Sequence, residues 1–144
     1  MGEVVKMRKV GVDDADERVN LAVVRGECSG PPETRTLESG ARVASLAVRC
    51  PTGGAGERAT SVPVTVWDPP AWIETLDRGD EVVVVGRVRR RFFGRPGGVG
   101  SRVDLDAVAI ARARDRRRVE ALARRASGEL DRLLPGRAPR DRRM

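Results

Sequence analysis

Histidine and tyrosine are absent, phenylalanine and tryptophan occur twice each, and cysteine occurs only at Cys28 and Cys50. With no imidazole and two thiols in no CxxC spacing, a zinc site or a histidine-based acid–base centre has almost no residues to draw on. The cysteines read as small buried or half-buried hydrophobes in a reducing compartment. The alternative is a single disulfide between them, which the lack of a secretory signal at the N-terminus disfavours. No run of about eighteen apolar residues occurs, so no membrane-spanning helix is expected. No phosphate-binding lysine follows the glycines at 94–100, and no serine or cysteine sits beside an evident base. The expectation is therefore a cytoplasmic protein without catalytic residues, metal, cofactor or small-molecule substrate.

Charge is abundant, and its placement is uneven. The formal net charge is +7; residues 1–110 carry 16 basic and 16 acidic groups, and residues 111–144 carry 12 basic and 5 acidic. The excess belongs to the C-terminal part. Inside the neutral part, Arg87, Arg89, Arg90, Arg91, Arg95 and Arg102 fall within a 16-residue stretch that holds no acid. A polyanion is drawn to one side of such a molecule and repelled by the rest.

Residues 1–18 mix charges, with Asp13, Asp14, Asp16 and Glu17 in one run, follow no period, and read as a flexible arm. From Val19 short apolar runs alternate with turn residues, the signature of an all-β domain. Strands are expected at 19–26, 34–37, 42–50, 62–67, 81–93 and 101–110, with a tight hairpin turn at Ser39–Gly40 and a flexible hairpin loop at 94–100. Pro63 puts its strand at an edge or leaves it loosely paired near the start. Asp68, before Pro69 and Pro70, reads as the cap of a short helix ending near Leu76, with Trp72, Ile73 and Leu76 facing inward. In the last strand Val103, Leu105, Ala107 and Ala109 alternate against Arg102, Asp104, Asp106 and Val108. With the short piece at 34–37 set aside, five strands with one short helix between the third and fourth is the order of an OB-fold barrel.

At 115–134 the spacing becomes helical. Val119, Leu122, Ala126, Leu130 and Leu133 recur on one face, and arginines cover the other. Ser127 and Gly128 are expected to kink or fray this helix, and Pro135 to end it. The chain thus divides into an arm at 1–18, a β domain at 19–110, a basic amphipathic helix at 111–134 and a disordered basic tail at 135–144.

The segment VGRVRRRFF carries the functional reading. Alternation along a strand turns Val84, Gly86 and Val88 one way and Arg87, Arg89, Arg91 and Phe93 the other. A row of guanidinium groups ending in a ring suits an unpaired polynucleotide, which offers a phosphate at every nucleotide and bases free to stack. Trp67 is the second stacking candidate, and Arg49, Arg95 and Arg102 complete the basic set. If about six phosphates are neutralised, log affinity should fall against log salt with a slope near −4.

Two stretches resemble bacterial single-stranded DNA-binding proteins. In VNLAVVRGECSGPPETRTLESGARVASLAV, the residues Asn20, Gly26, Pro32, Glu33, Arg35, Gly40 and the alternation from Val43 to Val48 fall in register with that family. In RGDEVVVVGRVRRRFF, the matching residues are Arg78, Gly79, Asp80, Val83, Val85 to Arg89, Arg91 and Phe93. The likeness covers about residues 19–110. It implies an OB fold, Trp67 and Phe93 as base-stacking rings, Arg89 and Arg91 as phosphate contacts, and a homo-oligomer, dimer or tetramer. Two departures matter. Further stacking aromatics usual in the family are replaced near Arg49 and at Ser61 or Val62, so weaker or shorter-footprint binding is expected. The C-terminus reads RAPRDRRM in place of an acidic tail with a hydrophobic tip, which points to an auxiliary paralogue.

The reading is sequence-tolerant binding and protection of single-stranded DNA in replication, repair or recombination, by a nucleoid-associated protein. The alternative is RNA or a protein partner on the same barrel, because fold alone does not select the ligand.

Overall fold

The computed structural model describes residues 18–56 and 58–134. The arm expected up to residue 17 and the tail expected at 135–144 lie outside the described residues, as does Pro135. Six strands form, β1 (Ala22–Cys28), β2 (Glu33–Thr36), β3 (Arg42–Cys50), β4 (Thr60–Trp67), β5 (Glu81–Arg95) and β6 (Gly98–Arg112), followed by helix α1 (Arg116–Leu130). Their order is β1-β5-β6-β4-β3-β2, and an added β1–β3 pairing closes five strands into a ring that leaves β2 attached outside on β3.

Period-two alternation of valines fills the ring. Val48, Val64, Val82, Val84 and Leu105 point inward, and Ile73 and Leu76 plug the interior from the β4–β5 connection. Closure needs two glycines. A Cβ on Gly26 would strike the Arg49 carbonyl where β1 crosses β3, and one on Gly86 would lie 2.5 Å from the Asp106 carbonyl oxygen. Asn20 extends the β1 edge by side chain: its amide nitrogen donates to the Val88 carbonyl at 3.0 Å, and its oxygen accepts from the Val88 amide at 2.9 Å. Cys28 and Cys50 are buried free thiols, and burial pushes both up from the ordinary thiol range.

The structure departs from the sequence reading at five places. The stretch 71–75 is a single 3-10 turn, with Pro70 at its start and no side-chain cap. Asp68 caps nothing; it sits in the left-handed region at φ 55°. No flexible loop spans 94–100: β5 and β6 continue to a two-residue Pro96–Gly97 turn, with Arg95 opposite Gly98. In β6 the simple alternation fails, since Val85 faces Ala109 while Gly86 faces Ala107, which leaves Val108 as a bulge without a counterpart. Leu105, Ala107 and Ile110 therefore turn inward, and Ala109 and Ala111 turn outward beneath α1. Finally, α1 runs unbroken through Ser127 and Gly128 and tightens to a 3-10 turn at Asp131–Leu133.

The edge expected at Pro63 exists on one side only: β4 pairs with β3 along its whole length, Pro63 opposite Ala47, and joins β6 only at Val64 and Thr65. Helix α1 is capped by Asp115, whose carboxylate accepts from the Arg118 amide at 3.3 Å. It packs Val119, Leu122 and Ala126 on Val83, Val85, Ala109 and Ala111, a second apolar cluster outside the ring. Leu130 and Leu133, placed on that face by spacing, are exposed instead. No described helix is long and apolar enough to cross a membrane.

Candidate nucleic-acid interface

Side chains directly opposite each other in a ladder share a face. The register pairs Arg49 with Ser61, Thr65 with Asp106, Arg89 with Asp104, Arg91 with Arg102, Phe93 with Gly100 and Arg95 with Gly98. Alternation along each strand then turns Arg49, Trp67, Arg87, Arg89, Arg91, Phe93, Arg95 and Arg102 outward, but Arg49 stands apart, opposite Glu27 where β1 meets β3. Trp67 is 44% exposed and Phe93 46% exposed, so neither ring belongs to the core. They are far apart. Trp67 lies beside Val108 and Phe93 opposite Gly100, about 25 Å apart along β6 at roughly 3.3 Å per residue.

The distal parts of β5 and β6 outrun the ring as a two-stranded arm. On its outer side Phe93 rests over Gly100, where a Cβ would come within 2.6 Å of the phenyl ring. One surface of the phenyl is thereby supported by backbone.

The arginine row is not free of acids. Sequence neighbours are all basic or apolar, but the facing strand and helix bring carboxylates to it. Arg91 Nε donates to Asp104 Oδ2 at 2.8 Å, and its Nη2 to Asp106 Oδ1. Arg89 Nη1 reaches Asp106 Oδ2 at 2.7 Å, and Arg87 Nη1 reaches Glu129 Oε1 of α1 at 3.4 Å. Asp104 is 1% exposed, takes a further 3.3 Å bond from Thr65 Oγ1, and keeps Oδ1 without a partner among the described residues. A buried carboxylate needs a fixed cation, so Arg91 holds Asp104 in place. Arg102 stands 3.9 Å from the same carboxylate. Arg49 and Arg95 are exposed, and neither has an ion-pair partner among the described residues.

Sequence reasoning missed the other side of the arm. Val88, Phe92, Val99 and Val103 are exposed there, Phe92 at 70%, around Arg90, which donates to Ser101 Oγ at 3.0 Å. These are inward positions by alternation, on a stretch that has no interior left to face. The available signal was length: β5 has 15 residues where β4 has 8.

A closed five-strand ring with a distal hairpin and an outer basic face is the geometry of an OB-like domain. Comparison with solved structures agrees on that fold. The chain is similar to a deletion mutant of the single-stranded DNA binding protein from Thermus aquaticus, with a TM-score of 0.55 and 21% sequence identity over 69% of this chain and 43% of that one. It thus spans less than half the length of that structure. No family model and no curated protein matches the chain.

Proposed function

We propose that the chain binds single-stranded DNA with little regard to sequence and protects it during replication, repair or recombination, as a nucleoid-associated protein of the cytoplasm. The observation that carries this reading is the joint exposure of Trp67 and Phe93 on the face that also bears the arginines. The OB-like fold supports it, as does the likeness to a structure that is itself a single-stranded DNA-binding protein. Arg49, Arg95 and Arg102 take phosphates directly, and Arg87, Arg89 and Arg91 share theirs with the carboxylates already bound.

The charge network lowers the expected phosphate count. With about four contacts from Arg49, Arg89, Arg95 and Arg102, the slope of log affinity against log salt is near −3, and a fourfold rise in salt costs about 50-fold in affinity; basic groups outside the ring steepen it. Fluorescent oligo-dT titrated with wild type and with Trp67→Ala/Phe93→Ala is the test. Loss of two stacking partners at about 1–3 kcal/mol each should weaken binding at least tenfold. Unchanged affinity, or a flat salt response, refutes the reading. Matched RNA oligomers in competition separate DNA from RNA preference.

A second copy of the chain is proposed for the other side of the arm. An exposed strip of Val88, Phe92, Val99 and Val103 invites burial, and a homo-oligomer satisfies it without covering the arginine face.

A further inference from the structure

Between the end of β4 and α1 lies an open hollow of about 370 Å³. Its floor is formed by Ala107, Val108 and Ala109, and Ala121 and Leu122 of α1 close one side. The bulge at Val108 and the run of small side chains create the space, since a regular strand with large residues would fill it. Trp67 forms part of the wall, and two opposite charges, Asp68 and Arg118, stand at the same opening.

Each charge is set in a defined way. Arg118 Nε is held by Asp115 Oδ2 at 3.1 Å. Both of its terminal nitrogens therefore stay available, since no hydrogen bond or ion pair engages them among the described residues. Asp68 follows Trp67 directly, and its amide donates to the Arg42 carbonyl at 2.8 Å. It has a positive φ of 55°, alone among described non-glycine residues. Aspartate is among the few L-residues that adopt this region readily, so the turn fixes the direction of the side chain without marked strain. Its carboxylate is exposed and engages no group among the described residues.

From this geometry we infer that the hollow receives one unstacked nucleobase bearing an exocyclic amino group, with Trp67 against its face, Asp68 accepting from the amino group and Arg118 on the adjoining phosphate. This rests on the reading of single-stranded DNA binding and adds two things to it: α1 is part of the binding site, and one position within an otherwise sequence-tolerant footprint prefers bases that carry an amino group. A carboxylate accepts from the cytosine N4 amino group. In place of that amino group thymine carries the O4 carbonyl, which the carboxylate repels, and its one donor on this edge is the neighbouring N3–H. The apolar floor suits the rest of the ring, and the opposed charges at the opening match a nucleotide's amino and phosphate ends.

The test compares oligo-dC with oligo-dT of equal length, two pyrimidines that differ at this edge. Wild type should bind oligo-dC several-fold more tightly. Asp68→Asn tolerates the left-handed backbone, so the fold is kept; its dC to dT ratio should fall to about one. Arg118→Gln should weaken both oligomers alike and make the salt slope shallower by about 0.7. The inference is overturned if wild type shows no preference, if Asp68→Asn leaves the ratio unchanged, or if Arg118→Gln leaves the slope unchanged. In each of those cases a loss of affinity in Trp67→Ala/Phe93→Ala keeps the underlying reading alive. If that double variant also binds normally, the reading falls with the inference.

Discussion

At the scale of single residues, small side chains place the large ones. Gly26 and Gly86 let strands approach where a methyl group would collide with backbone, which gives a physical role to two glycines that in sequence appear only as parts of a pattern. Gly100 serves Phe93 in the same way. Gly100→Ala should push the phenyl ring off its support without removing any aromatic or charged group. The expected result is several-fold weaker oligo-dT binding with little change in thermal stability, read by titration and by Tm in parallel. Equal affinity would mean that the ring's position is irrelevant to stacking. The arginines make the complementary point: their identity was legible in the sequence, and their partners were not. Asp104 and Asp106 lie more than ten positions along the chain from Arg89 and Arg91, which they bind, and only strand register reveals that pairing.

At the scale of elements, the strands and the C-terminal helix could be read from periodicity because each buries one face on a neighbour. Val82 and Val84 alternate with Val83 and Val85, and both sets are buried, one in the ring and one beneath α1. The bulge at Val108 could not be read, because an inserted residue leaves no mark in composition. Nor could the 3-10 turn, since Asp-Pro-Pro suits a helix start and an extended turn equally. Helix α1 is tied to the arm's root by Arg87 and Glu129. Hydrogen bonding from Arg87 holds the Glu129 carboxyl below the usual carboxylate range. A lowered carboxyl value means that the contribution is complete above the unfolded-state value, near 4.3, and is lost as pH falls through the lower folded value. Wild type should therefore melt above Glu129→Gln by a constant margin from about pH 8 to pH 5, and the margin should shrink in stronger acid. A margin that does not respond to acid would remove Glu129 from the docking of α1.

At the scale of the whole molecule, charge is organised by sides, and net charge conceals this. The outer side of the arm presents cations and Phe93; the other presents Phe92 among valines. If the apolar side is covered by a second copy, Phe92→Ser with Val99→Ser should lower the molar mass seen by sedimentation at micromolar concentration and leave the intrinsic affinity for a short oligomer intact. An unchanged mass would mean that assembly, if any, uses another surface. The fold class was accessible from sequence because a ring of short strands needs only alternation and turns. Of the candidate site, the outward direction of the eight residues was legible, but the distance between the two rings and the carboxylates among the arginines depend on how far β5 and β6 run past the ring.

Phe92 and Phe93 are neighbours in the chain and point to opposite sides of a two-stranded ribbon. No flat ligand laid along one side can reach both. If both proposals hold, self-assembly and the loading of a polynucleotide proceed on the same hairpin without competing for it, and a change that harms one spares the other.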